Sequence, residues 1–289
     1  MDFSIMTASF PLDEETFQEV SRFCEEAGAI DEVEYDTLPQ LSIATNTDQS
    51  GFYLLAYDDN KDGLVGAVAA VDLLGLGAFE WTGVVLPNYR KRGIGNALFA
   101  KLEQALEMRG AVGNLASIWQ QSPHGKIFLE NKGYQYNSSL CTFTALSQIE
   151  EIPHNCEIRP FQFDDTAQVQ DIFCASFDDT AEEAQELIQY SQMAEHVQFI
   201  VAVSAGRVVG TLTLQQEKGV QYIVSFAVHP IARRKGIGSA LLQWAKNSAA
   251  QQGSSRIFLE VETDNEAALA FYNKFSFDLY KKIDFYTRN

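Results

Sequence analysis

Positive charge is scarce in this chain. Its 289 residues include 21 lysines and arginines against 39 aspartates and glutamates, a formal net charge of −18. Phosphate backbones are bound through a basic footprint; none is visible, which argues against nucleic acid and equally against an anionic membrane surface as partner. The overall field favours a cationic small molecule or peptide. Cysteine and histidine are also sparse, at four each. Cys24, Cys141, Cys156 and Cys174 stand far apart without a Cys-x-x-Cys pair, so neither a disulfide framework nor a metal site is expected. No run approaches the roughly 18 uninterrupted apolar residues of a transmembrane helix. The opening MDFSIMTASFPLDEETF carries acidic residues where a secretory signal needs a basic start and an apolar core. A soluble cytoplasmic protein is the expectation. Apolar material, by contrast, is ample: 46% of residues are hydrophobic and 12% aromatic, enough for packed cores rather than disorder. The length points to two domains more readily than one.

The chain repeats itself. VVLPNYRKRGIGNALFAKLEQAL, from Val84, matches AVHPIARRKGIGSALLQWAKNSA, from Ala227. Pro87 pairs with Pro230, Arg90 with Arg233, Gly93 with Gly236, Gly95 with Gly238 and Leu98 with Leu241, always at an offset of 143. The same offset aligns KIFLENKGY, from Lys126, with LAFYNKFSF, from Leu269; upstream, KDGLVGAVAAV and AGRVVGTLTLQ align at 144. Two tandem copies of one domain explain these registers. The polar, proline-bearing LSQIEEIPHN separates them, giving domains at 1–148 and 156–289 with a linker at 149–155. The halves differ in charge: 9 basic against 21 acidic residues in 1–150, and 12 against 18 in 151–289.

The second copy has the cleaner local signals. Residues 156–161 read as a short strand. DDTAQVQDIFCASF, from Asp164, places Val169, Ile172 and Phe173 on one helical face. FIVAVSAGRVVGTLTLQ reads as a hairpin turning at Ala205-Gly206, and QYIVSFAVHP as a further strand. SALLQWAKNSAAQQG is a helix, RIFLEVE a buried strand, NEAALAFYNKF a helix and FDLYKKIDFY a final strand. The fold class is mixed α/β.

Between the strand QYIVSFAVHP and its following helix lies Arg233-Arg234-Lys235-Gly236-Ile237-Gly238. Glycine lets backbone approach a ligand closely, and a helix start offers unpaired N–H groups and a positive dipole end, which suit a phosphate. Alone, the segment reads equally well as a turn with solvated basic residues. Its recurrence at Arg90, Arg92, Gly93 and Gly95 favours a shared anion site. A P-loop would need Gly-Lys-Ser/Thr, but Ser239-Ala240 follows Gly238; the dinucleotide fingerprint would need glycine where Arg233 stands.

Arg-x-x-Gly-x-Gly after Val-x-Pro resembles the coenzyme A pyrophosphate motif of the GNAT superfamily of N-acetyltransferases. LEVETDNEAALAFYNKFSF resembles that family's next strand and helix, with Ser276-Phe277 where Gly-Phe is usual. The resemblance implies two tandem GNAT-like domains, each a mixed, splayed central sheet flanked by helices, and acetyl-CoA as the acetyl donor. It implies a cofactor site at Val228, Arg233, Arg234, Lys235, Gly236, Ile237, Gly238, Ser239 and Asn265, and a second candidate set at Arg90, Lys91, Arg92, Gly93, Ile94, Gly95 and Asn96. Tyr272 matches the family's proton donor to the leaving thiolate; a core ring beside Phe271 is its plain alternative. Asn265 also suits a helix N-cap. At the 143 offset Tyr272 becomes Leu129 and Asn265 becomes Ser122, so the first domain either binds coenzyme A without catalysis, is structural, or draws on Tyr134 or Tyr136. No general base stands out among His229, Glu80, Glu260 and Glu262. The resemblance implies acetyl transfer from a coenzyme A thioester to an amine-bearing small molecule or peptide, catalysed by the second domain. A non-catalytic acetyl-CoA sensor is the alternative.

Overall fold

The computed structural model describes residues 2–36, 38, 49–60, 63–177, 179–193, 196–217, 219–262 and 266–288. The chain divides into two compact units, Met1–Ser139 with Lys282–Asn289, and Leu140–Lys281.

In the first unit, β1 (Phe3–Ser9), β2 (Ser50–Asp58), β3 (Gly63–Asp72) and β4 (Ala78–Val85) form an antiparallel meander, and β5 (Gly113–Trp119) runs parallel to β4. Among its described residues are the helices α1 (Glu14–Asp31), α2 (Ile94–Met108) and α3 (Pro123–Asn131). Helix α1 starts where the Asp13 carboxylate accepts from Thr16 N at 2.9 Å, and Val20, Phe23, Cys24 and Ala27 form its buried stripe. Strand β3 is an almost continuous apolar run, buried along nearly all its length, as befits a strand covered on both faces. Its Gly66 admits α2: a Cβ there would stand 3.0 Å from Leu98 and 3.1 Å from Ile94.

The second unit repeats this plan. β7 (Glu157–Pro160), β8 (Val197–Ser204), β9 (Arg207–Glu217) and β10 (Val220–Ile223) are antiparallel, and β12 (Arg256–Glu262) runs parallel to β10. Ala205 (φ 50°) and Gly206 (φ 75°) make the expected tight turn between β8 and β9. Its helices are α4 (Thr166–Phe177), α5 (Ala181–Met193), α6 (Ile237–Gln251) and α7 (Glu266–Lys274). Val169, Ile172 and Phe173 are buried on α4 as their spacing predicts. Gly210 mirrors Gly66, its missing Cβ lying 3.1 Å from both Ile237 and Leu241.

Three features differ from the sequence reading. Helix α5 is an addition; its start is a reciprocal cap in which Glu183 N donates to Thr180 Oγ1 at 3.2 Å and Thr180 N to Glu183 Oε2 at 2.8 Å. The segment QYIVSFAVHP is two short strands, β10 and β11 (Ala227–Val228), interrupted at 224–226, with β11 returning to pair with β9. The compact units also divide the chain elsewhere than at 148 and 156. The last strand of the first unit is Lys282–Thr287, from the end of β13 (Asp278–Thr287), antiparallel to β5 with Ile283 opposite Trp119. The last strand of the second is Leu140–Leu146, from β6 (Gln135–Leu146), antiparallel to β12. Alternating residues identify a strand but not its neighbour, so pairing was invisible to periodicity.

Removing residues 282–289 therefore strips the edge of β5 and deletes Tyr286, which is 2% exposed. The expected result is a loss of about 3 kcal/mol or more in the first unit, as for truncating a buried aromatic. Hydrogen exchange should speed up in β5 and stay unchanged in β12. Unchanged exchange in β5 would contradict the pairing.

Candidate active site

Each unit contains one place where parallel strands part. In the first, β4 and β5 pair only from Ala78 with Gly113 to Trp81 with Ala116. Beyond, β4 stays on β3 as far as Val85 opposite Gly66, while β5 continues on β13 to Trp119. Thr82 Oγ1 donates to Ser117 O at 2.9 Å and closes the fork. In the second unit β10 and β12 pair over three residues, ending at Ile223 with Leu259. Backbone groups along a parted edge need partners, and an extended ligand can supply them.

A loop and a helix start complete each fork, and the two copies agree in backbone detail. A short 3-10 turn, Pro87–Tyr89 or Pro230–Ala232, leads to a residue in left-handed conformation: Lys91 (φ 59°) or Arg234 (φ 61°). Gly93 (φ 89°) and Gly236 (φ 80°) then cap α2 and α6 without any side-chain hydrogen bond, and neither helix has an acidic residue in its first turn. The first N–H groups and the positive helix end are thus left for an external anion. Arg90 Nε donates to Val85 O at 2.9 Å, and Arg233 Nε to Val228 O at 3.1 Å. The sequence-predicted stretches Arg90–Asn96 and Val228 with Arg233–Ser239 each fall on one strand–loop–helix. Ile94 and Ile237 are buried, so only their backbone faces a ligand. Asn265 lies outside the described residues.

The loops differ in charge state. Both terminal nitrogens of Arg90 donate to the Asp31 carboxylate, which also accepts from Tyr35 Oη at 2.8 Å. Burial pushes the Asp31 carboxyl up, yet the hydrogen bonds from Arg90 and Tyr35 outweigh it and hold the group below its ordinary value. Burial, reinforced by the bond to Asp31, pushes the Tyr35 phenol up to about 12. Arg90 is accordingly a strut that fixes the loop, and Lys91 and Arg92 carry its outward charge. Arg233 is exposed and forms no ion pair among the described residues. Above it, Asn155 Nδ2 donates to Lys235 O at 2.7 Å and lies against Gly236, where a Cβ would approach within 2.2 Å.

The interiors differ more. The first fork opens on a cavity of about 370 Å³, running from Lys91, Gly93 and Asn96 past Gly83 to Leu129. In the second, a Cβ on Gly238 would meet Phe271 at 3.2 Å and Phe226 at 3.4 Å. Tyr272 joins these rings, its centroid 6.3 Å from that of Phe226. It is 8% exposed, its hydroxyl has no hydrogen-bond partner among the described residues, and burial pushes it up to about 12. At neutral pH it therefore keeps its proton. Leu129 takes the matching place in the first unit and is 1% exposed.

The alternative acids and bases are engaged elsewhere. Tyr134 Oη donates to Asn114 Oδ1, which also accepts from Trp81 Nε1 at 3.0 Å. Tyr136 bonds Ser139 at 2.8 Å. His229 Nδ1 accepts from Ile231 N at 3.3 Å, with Nε2 3.2 Å from the Asp171 carboxylate. Glu260 accepts from Thr142 Oγ1 at 3.1 Å. Burial raises the Glu80 carboxyl, against a hydrogen bond from Ser117 that lowers it. Asp31, Tyr35, Asn155 and Phe226 were missed by sequence reasoning; only Phe226 left a signal, facing Gly83 at the repeat offset.

The model of the acetyltransferase (GNAT) family matches the chain twice, over residues 14–123 and 166–277. A mycothiol acetyltransferase from Clavibacter sepedonicus is 24% identical over 255 residues, 82% of this chain and 81% of its own. N-alpha-acetyltransferase 30 from Schizosaccharomyces pombe is 33% identical over 94 residues, 31% of this chain and 63% of its own. A GCN5-related N-acetyltransferase from Sphaerobacter thermophilus superposes with a TM-score of 0.78 at 18% identity, covering 98% of this chain and 95% of that one. A tandem GNAT protein from the clavulanic acid biosynthesis pathway gives 0.71 at 14%, covering 98% of both. These two likenesses concern the fold.

The Asp31–Arg90 pair makes a pH prediction. A carboxyl with a lowered folded pKa contributes stability above its unfolded pKa, and that contribution is lost as pH falls through the folded value. Asp31→Asn should cost about 1.5–3 kcal/mol near neutral pH, the range for hydrogen bonds to a charged group. The deficit against wild type should shrink well below the ordinary carboxyl pKa of about 3.9. Urea unfolding at about pH 7 and about pH 3 measures it; an equal deficit at both contradicts the pairing.

Proposed function

The chain belongs to the acetyltransferase (GNAT) family, and from that premise we propose that its second unit transfers an acetyl group to a primary amine of a small molecule or peptide, with Tyr272 as the acid. The observation that carries this reading is the buried Tyr272, which keeps its proton at neutral pH, has no hydrogen-bond partner for its hydroxyl among the described residues, and packs on Phe226, a ring that a Cβ on Gly238 would meet.

The site fits a coenzyme A thioester, which when bound supplies the activated acetyl group. Backbone N–H groups at the start of α6, Arg233, Arg234 and Lys235 would hold its pyrophosphate. Gly238 keeps the helix start low enough for close approach, since a Cβ there already presses on Phe226 and Phe271. A coenzyme A thioester held along the parted edge would find fixed backbone donors for the negative charge that develops on its oxygen. As the amine nitrogen bonds to the acetyl carbon and the carbon–sulfur bond breaks, Tyr272 would give the leaving sulfur its Oη proton and be reprotonated by the proton the amine loses; its raised pKa keeps it protonated through the neutral range.

The first unit shares the loop, the helix start and the fork, but Leu129 has no proton to give. Its open cavity supports a second reading for that unit, a coenzyme A thioester site without turnover.

Tyr272→Phe keeps the ring and removes the proton. Single-turnover transfer to a panel of amines at saturating acetyl-CoA should slow by about 10²–10⁴-fold, the usual contribution of a positioned acid, with acetyl-CoA affinity little changed. A rate within about threefold of wild type, with chemistry limiting, would leave Tyr272 as packing, since Phe preserves its apolar body.

A further inference from the structure

We infer that the cleft of the first unit is shaped for a coenzyme A thioester with an acyl chain longer than acetyl, lying on an apolar floor. The inference rests on the reading of that unit as a thioester site.

The cavity has two ends of different chemistry. Its mouth is the cationic loop and the uncapped start of α2, with Lys91, Gly93 and Asn96. Its floor is Ala67, Val68, Trp81, Leu98, Phe99 and Leu129, each at most 5% exposed. Ala67 and Val68 belong to β3, so the space extends across β4 and under α2, beyond the fork itself. A volume of about 370 Å³ lies within the usual range of ligand pockets, about 300–1,000 Å³. An anionic head at the helix start and an apolar tail on the floor match both ends. An acyl chain laid on the apolar floor would take that surface out of water, which is favourable.

The second unit shows what a filled version contains. Phe226 stands where the first unit has Gly83, and Tyr272 where it has Leu129. The ring of Tyr272 is thus absent from the first cleft at Leu129, whereas the place of a side chain at Gly83 is taken by Val68, which a Cβ there would approach to 2.8 Å. The loop glycines register the change: a Cβ on Gly238 would touch rings at 3.2 and 3.4 Å, while one on Gly95 would find its nearest neighbour, Phe128, at 3.7 Å. The same backbone plan is therefore crowded by rings at Gly238 and looser at Gly95.

The chain has three tryptophans. Trp81 and Trp119 line the cavity, and Trp244 lies on α6. In the full-length Trp244→Phe variant, selectively excited tryptophan fluorescence therefore reports on the first unit alone. Titration with coenzyme A and its acetyl, butyryl, hexanoyl and octanoyl thioesters should show affinity rising with chain length. Octanoyl-CoA should bind at least about tenfold tighter than acetyl-CoA, a gain that needs only a few of its methylenes fully buried at about fourfold each. Adding Leu129→Phe puts a ring on the floor and should abolish the gain, read as the ratio of octanoyl-CoA to acetyl-CoA affinity within that variant. Phe99→Leu widens the floor and should move the optimum to a longer chain, which keeps the test alive if the crowded variant does not fold. Equal affinities across the series, or a gain untouched by both wall variants, would overturn the inference while leaving the thioester site standing. No fluorescence response to coenzyme A or any thioester would remove the underlying site as well.

Discussion

A parallel strand pair normally satisfies the backbone along its whole length. Here, in each unit, the pairing between the fourth and fifth strands of the sheet ends after three or four residues, at Trp81 with Ala116 and at Ile223 with Leu259. The rest of the site follows from that interruption. Groups along the parted edges require hydrogen bonds, a short 3-10 turn leads on to the glycine loop in both units, and the helix beyond starts on a glycine with no side-chain cap. Gly66 and Gly210 support the arrangement from below, because a larger residue would lift the helix from the sheet. An extended ligand with an anionic end meets all three needs at once: edge partners, a positive helix end and close backbone approach.

One backbone plan carries two different fillings. In the first unit Asp31 and Tyr35 lock Arg90 into the loop, and Leu129 stands on the wall of an open cavity. In the second, Arg233 projects without an ion pair among the described residues, Phe226 and Phe271 crowd Gly238, and Tyr272 brings a proton that burial keeps in place. In the proposed function Tyr272 is the acid of the second unit, and Leu129, in the matching place, gives the first unit none.

Much of this was legible in the sequence, for identifiable reasons. Glycine is the residue best suited to the left-handed caps at 93 and 236 and to the close contacts at 66 and 210, so those positions recur at fixed offsets and disclose the repeat. Lys91 and Arg234 adopt the same left-handed conformation with no residue-type signature, and that feature was invisible. Helix α5 was missed because Ala184, Ile188 and Ser191 make its buried stripe short and weakly apolar. The Asp31–Arg90 pair joins residues 59 positions apart, beyond any local pattern. Alternation located the last strand of each unit but gave no partner for it, and partner choice rests on register across the sheet. The exchange of Gly83 for Phe226 was present in the aligned copies; its meaning needed the cavity.

The central claim is that each parted strand pair, with its glycine loop, cradles one coenzyme A. Native mass spectrometry of the full chain with excess acetyl-CoA counts the cradles directly. Two bound molecules are expected on wild type, one on Gly95→Asp, one on Gly238→Asp and none on the double variant, since each carboxylate would repel the pyrophosphate at its own helix start. One molecule on wild type, or two retained on either folded single variant, would contradict the account.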